Sequence, residues 1–262
     1  MDTTNPNQES ENMEVHHHGH HEGKKNWKSY FWEFLMLFLA VFCGFLAEYQ
    51  LEHTIERDRE KQYVESMVAD MKNDATKIKK TIAFCTIQLA AFDSLSQNIY
   101  HTPYTDSSLR TMYYLQRKYT SIRSSVAFTK RTITQLKSSG GLRLILNKAA
   151  SDSIVVYDET CEKAAVQEEY FKNVRMGKVN DFNIQLFDSK YILNYNRNTI
   201  VDILKKKEPI ALLSNDEKLM KQYANSLYFA KGSLTSYIVI LKELENRIPA
   251  MTKFLEKEYH LE

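Results

Sequence analysis

Phe34-Leu35-Met36-Leu37-Phe38-Leu39-Ala40-Val41-Phe42-Cys43-Gly44-Phe45-Leu46-Ala47 is an unbroken apolar run, entered through Tyr30, Phe31, Trp32 and a lone Glu33. At about 1.5 Å of rise per residue, a helix from Tyr30 to Ala47 reaches roughly 27 Å, close to the hydrocarbon thickness of a bilayer. No other part of the 262 residues is so continuously apolar. Trp27, Tyr30 and Trp32 stand at one end and Tyr49 at the other, the amphipathic rings that settle at headgroup level. Lys24, Lys25 and Lys28 precede the run, whereas Glu48, Glu52 and Glu56 follow it. The positive-inside bias therefore predicts residues 1–28 in the cytosol and 48–262 outside it. A short buried core helix would not explain these flanks.

A cleavable leader needs small residues at alternating positions after its apolar stretch. Phe45-Leu46-Ala47 puts a bulky side chain where a small one is required, so an uncleaved signal-anchor over 29–48 is predicted. Glu33 falls in the first turn of the span, where it can reach the interface or face a partner helix.

Composition narrows the rest. Seven glycines and four prolines are few for sheets or loop-rich folds, which need turn residues, so a helical protein is expected. The net charge of +2 is spread thinly, and together with an extracytoplasmic placement it excludes nucleic acid as a partner. Of the three cysteines, Cys43 lies in the span. Cys85 and Cys161 fall on apolar helical stripes, as two buried thiols or, in an oxidising space, as a disulfide.

From Val64 onward a heptad is sustained. One seam carries Val64, Met71, Ile78, Cys85, Phe92 and Ile99, the other Val68, Ala75, Ile82 and Leu89. Such regularity belongs to a helix packed lengthwise against partners, and Pro103 stops it. A second helix is expected after Asp106 or Ser107, and a third through Val126, Thr129, Ile133 and Leu136, ending at Ser138-Ser139-Gly140-Gly141. Another runs over roughly Ser151–Lys178. Residues 180–213 mix Asp188, Asn194, Asn196 and Asn198 with apolar side chains, which predicts short helices in an irregular linker. The last helix opens at Ser214 with Glu217 three residues on, a capping-box pattern. It repeats Met220, Leu227, Leu234, Leu241, Ile248 and Leu255 beside Tyr223, Ala230, Tyr237, Leu244 and Met251, with Pro249 expected to kink it.

The chain from about residue 30 to 160 resembles the uncharacterised single-span membrane proteins common in Bacteroidetes genomes, which share a domain of unknown function. The resemblance rests on Glu33, on Glu56-Arg57-Asp58-Arg59-Glu60-Lys61 through Met67-Val68-Ala69-Asp70-Met71-Lys72-Asn73-Asp74, and on the serine-glycine break before Leu142-Arg143-Leu144-Ile145. The His-rich tail departs from that pattern, as does Tyr49-Gln50-Leu51-Glu52, where a tryptophan is missing. The resemblance implies no active site.

Chemistry is sparse. His16, His17, His18, His20 and His21, flanked by Glu14 and Glu22, can ligate Zn²⁺, Ni²⁺ or Cu²⁺, although a run of this kind binds metal as an affinity tag does, without a fixed geometry. A solubilising tract is the other reading. No zinc-protease, nucleophile-elbow, phosphate-loop or dinucleotide motif occurs. Tyr100, Tyr104, Tyr113 and Tyr114 cluster near the first turn, either as core or as the lining of a ligand pocket.

The sequence thus predicts an all-α protein. A disordered His-rich tail (1–28) precedes a transmembrane helix (29–48) that continues into a long helix, followed by an antiparallel extracytoplasmic helical bundle (49–262). The expected role is a non-catalytic scaffold or partner-binding protein of the bacterial inner membrane, with no cofactor. Its partners are the lipid bilayer and either a second copy of the chain or another envelope protein. The alternatives are a sensory module signalling through a separate partner and an envelope enzyme whose site escapes sequence reading.

Overall fold

The computed structural model describes residues 26–138 and 140–261 of the chain. Among them all regular structure is helical, with no strand. The chain divides into two compact units, one up to Ile55 and one from Glu56 onward. Helix α1 (Trp27–Tyr100) is continuous across that boundary for 74 residues.

In the first unit the apolar run faces outward. Its most apolar window is 0% buried, and the helix is long and apolar enough to cross a membrane. Phe34, Phe38 and Phe42 stack at successive helical turns, with ring centroids 6.2 and 5.9 Å apart.

The second unit is built on three long helices: α1, α4 (Lys148–Val174) and α6 (Glu217–Glu258). Helix α6 runs antiparallel to α1, because Lys231 pairs with Asp93 at one end and Lys72 with Glu256 at the other. It is antiparallel to α4 as well, since Gln167 bonds Ser233 while Asn147, at the start of α4, bonds Glu258. Both heptads lie in the resulting core. Val64, Met71, Ile78, Cys85, Phe92 and Ile99 are buried on α1, and Met220, Leu227, Leu234, Leu241, Ile248 and Leu255 are buried on α6. Apolar side chains at those repeats share one face, and removing that face from water provides the main driving force for packing.

Shorter elements fill the remaining sides: α2 (Asp106–Leu115), α3 (Arg131–Ser138) and α5 (Asn180–Leu186). The caps fall one or two residues from their expected positions. Thr105, not Asp106 or Ser107, caps α2 through a reciprocal box with Ser108, and Asp216 caps α6 by accepting from the Leu219 amide. Helix α6 carries through Pro249. Gly140 takes the left-handed conformation at φ 66°, which the serine-glycine break requires.

The expected third helix through Val126 and Thr129 is corrected: Ser121–Lys130 has no regular structure, and α3 begins only at Arg131. That segment is held by polar side chains. Gln88 donates to the carbonyls of Tyr119 (2.6 Å) and Ile122 and accepts from Ser124. Asp74 accepts from the Thr129 amide (2.8 Å) and hydroxyl (2.7 Å), and Asp70 from Thr132 (2.6 Å). Further along, Glu60 accepts from the Leu146 amide and from Tyr259. An extended strap without a sheet partner must satisfy its main-chain groups elsewhere: Gln88, Lys77 and Asp74 of α1 meet Ile122, Ala127 and Thr129, and the Tyr237 hydroxyl of α6 accepts from the Val126 amide.

Cys85 and Cys161 are both free and buried. Burial pushes the Cys85 thiol up to about 11 from an ordinary 9.0, partly offset by Ser124. Burial likewise pushes Cys161 up to about 12, with Tyr157 opposing and Asp74 reinforcing the shift. Alkylation needs the thiolate, so at pH 8 iodoacetamide should leave both unmodified in the folded chain and label both in urea, as read by peptide mass. The folded state disfavours the thiolates, so their contribution to stability is complete below pH 9 and should fade as the pH rises through 9 to 12. Rapid native labelling of either cysteine would contradict this.

Candidate functional site

The short elements between α4 and α6 enclose the most distinctive chemistry. Two π-helical turns border them: Gln116–Thr120 follows α2 and is bonded to α5 through Asn183 and Thr120, and Arg175–Val179 joins α4 to α5. Such turns are rare and recur at functional sites. Each opens on a buried polar side chain short of protein partners, since Gln116 Oε1 accepts no hydrogen bond and Arg175 Nε and Nη1 donate none within the chain. Burial pushes the Arg175 guanidinium below its ordinary range, opposed by Glu168 and assisted by Arg123.

Gln116 lines a cleft of about 510 Å³ together with Asn180, Asn183, Ile184, Ile192 and Leu213. Behind it a hydrogen-bonded chain fixes the wall. The Tyr223 hydroxyl donates to Asn183 Oδ1 (2.6 Å), and Asn183 Nδ2 donates to Thr120 Oγ1 (3.0 Å). Tyr113 is a post that ties the rim together: its hydroxyl accepts from the Asp188 amide and donates to the Ala211 carbonyl, both at 2.8 Å. Phe187 and Tyr191 meet its ring edge-on, at 5.0 and 5.6 Å. The Leu213 amide donates to the Leu186 carbonyl and closes the far side. Among the described lining residues Asp188 alone is charged. Lys190, 2.9 Å away, holds its carboxyl below the usual range by side-chain and backbone hydrogen bonds.

A neighbouring cleft of about 420 Å³ lies against Arg110, Tyr191, Tyr195 and Lys206. Its buried arginine is committed to structure. Arg110 Nε donates to the Lys206 carbonyl (2.7 Å), Nη1 to that of Asp106 (3.1 Å) and Nη2 to that of Glu208. The cluster of Asp74, Lys77, Thr129 and Tyr157 is likewise closed on itself, each group already bonded within it.

The histidine tract His16, His17, His18, His20 and His21 lies outside the described residues. Among the described residues no group of three or more His, Cys, Asp or Glu is placed to hold a metal. The four tyrosines near the first turn do not share a pocket. Tyr113 is core, Tyr104 bonds the Ile99 carbonyl, Tyr114 meets Lys118 and Tyr119, and Tyr100 lines a separate cleft of about 200 Å³ beside Tyr228. Sequence reasoning missed Gln116 and Asn183, because an isolated amide on a short helix carries no spacing signal. No family model, curated protein or solved structure matches this chain.

Proposed function

We propose that this protein is a membrane-anchored, non-catalytic partner-binding protein of the bacterial envelope. A helix over 29–48 anchors it with the N-terminus in the cytosol, and the helical unit from Glu56 works on the other side of the membrane. The observation that carries this reading is the outward exposure of the apolar run, where Met36 and Leu37 are each 69% exposed. A helix of that composition in a water-soluble fold would turn such side chains inward, whereas a bilayer solvates them. The lysines before the run and the acidic residues after it support the orientation.

The amide-lined cleft supports the binding role, and it also favours a second reading, a sensory module that passes ligand occupancy to a separate membrane partner. One experiment addresses both. A photo-crosslinking amino acid at Leu213 and, separately, at Tyr228 should give a discrete adduct with one envelope protein or a second copy in intact membranes. Protease added to spheroplasts should remove the helical unit. Protection from that protease would reverse the orientation, and the lack of a discrete adduct from either position would remove the binding role.

A further inference from the structure

We propose that the cleft lined by Tyr100 and Tyr228 is a binding site for one neutral sugar ring of a glycan. This goes beyond the partner-binding reading and does not rest on it.

Tyr100 ends α1 and Tyr228 stands on α6, and both line the same cleft of about 200 Å³. Their side chains are 57% and 73% exposed, and the neighbouring Phe229 is 70% exposed. The packing of α6 does not call for these rings, because Tyr223, Ala230 and Tyr237 carry its buried face. A tyrosine left in water offers a flat apolar ring with a polar tip, so it gains from a ligand that covers the ring and leaves the hydroxyl wet.

The polar groups of the cleft are within reach of a ligand. Asp93 of α1 accepts from Lys231 of α6 at 2.6 and 2.8 Å, yet the two side chains stay 48% and 37% exposed. A carboxylate has about four acceptor sites, so Asp93 keeps room for hydroxyl donors beside Lys231. The Ser96 hydroxyl and the Asn225 carboxamide line the same cleft and make no hydrogen bond among the described residues. Because Asp93 and Lys231 neutralise each other, a charged ligand finds no spare countercharge there. A wholly apolar ligand would strip water from Asp93, Ser96 and Asn225 and return no hydrogen bond. A sugar ring answers both demands. Its C–H face covers a tyrosine ring, while its hydroxyls donate to Asp93 and accept from Asn225. The cleft is also smaller than the range of about 300–1,000 Å³ typical of drug-sized sites, which suits a single ring.

The test uses the full-length protein in phosphatidylcholine nanodiscs, which carry no sugar, and ligand-detected NMR with the methyl glycosides of glucose, galactose and mannose. Three controls divide the chemistry. Cyclohexanol supplies the ring without neighbouring hydroxyls, glycerol the hydroxyls without the ring, and N-acetyl-leucine-amide a peptide unit. At least one glycoside should bind at millimolar concentration, and each control at least tenfold more weakly. Tyr228→Ala should weaken glycoside binding at least tenfold at unchanged Tm, because that ring is exposed, whereas Tyr228→Phe should retain it. Asn225→Ala should weaken it severalfold. No glycoside binding at tens of millimolar, equal affinity in Tyr228→Ala, or a control that binds as tightly as the best glycoside would each overturn the proposal. The Leu213 crosslink is independent of all three outcomes, so the partner-binding reading stands or falls separately.

Discussion

Replacing Asp74 by alanine is expected to destabilise the helical unit by about 3–5 kcal/mol, a large part of the ~5–15 kcal/mol that holds a typical domain folded. Asp74 is fully buried, and its two oxygens accept from the Thr129 amide and hydroxyl, from Tyr157 and from Lys77. Lys77 can swing toward water, because its side chain is 34% exposed. The Tyr157 hydroxyl and the Thr129 amide have no such escape, and an unsatisfied buried donor costs about 1–3 kcal/mol. Tyr157→Phe deletes one donor and leaves the carboxylate its other partners, so it should cost only about 1–1.5 kcal/mol. Urea unfolding of the full-length chain in detergent, followed by near-ultraviolet circular dichroism, reads both. If Asp74→Ala proves no worse than Tyr157→Phe, the carboxylate is not what fastens the strap to α1.

This clasp also marks the limit of what could be read from sequence. The all-α fold and both heptad seams were legible, because apolar side chains at period 3.5 leave few other packings. Glu60, Asp74 and Gln88 lie on a third position of the α1 heptad, two heptads apart, with Met67 and Thr81 between them. Pattern reading treats polar residues beside a seam as solvated, yet all three are buried, because each bonds main-chain groups as well as side chains of other segments. Their main-chain partners lie in Tyr119–Asn147, where Val126, Thr129, Ile133 and Leu136 suggest one helix and give no sign that a strap is laid there. The alternation at that third position was the available signal. The cleft was less legible still. Its walls come from Gln116, Asn183, Asp188 and Leu213, which only the π-helical turns and the post at Tyr113 bring together. Local propensity does not encode a π-helical turn, which arises where tertiary packing outweighs the usual helical hydrogen bonding.

Leu39→Arg combined with Val41→Arg should release the protein from membranes. At the centre of a helix each arginine costs roughly 2.5–3.5 kcal/mol on the insertion scale, where the apolar side chain it replaces is favourable, so the pair removes about 6 kcal/mol or more. Both positions lie off the Phe34–Phe38–Phe42 stack, so the ring contacts survive and the change tests hydropathy alone. After carbonate extraction the unchanged chain should remain in the membrane pellet and the double variant should appear in the supernatant. The control Leu39→Ala with Val41→Ala should stay in the pellet, because alanine is tolerated in a span. Retention of the double arginine variant would mean that other contacts hold the protein to the membrane. A wild-type chain recovered in the supernatant, starting near Glu48, would mean that the run is removed as a leader. The exposure of the run favours retention of the unchanged chain in the pellet, since its apolar window is unburied within its own unit and a bilayer would remove it from water.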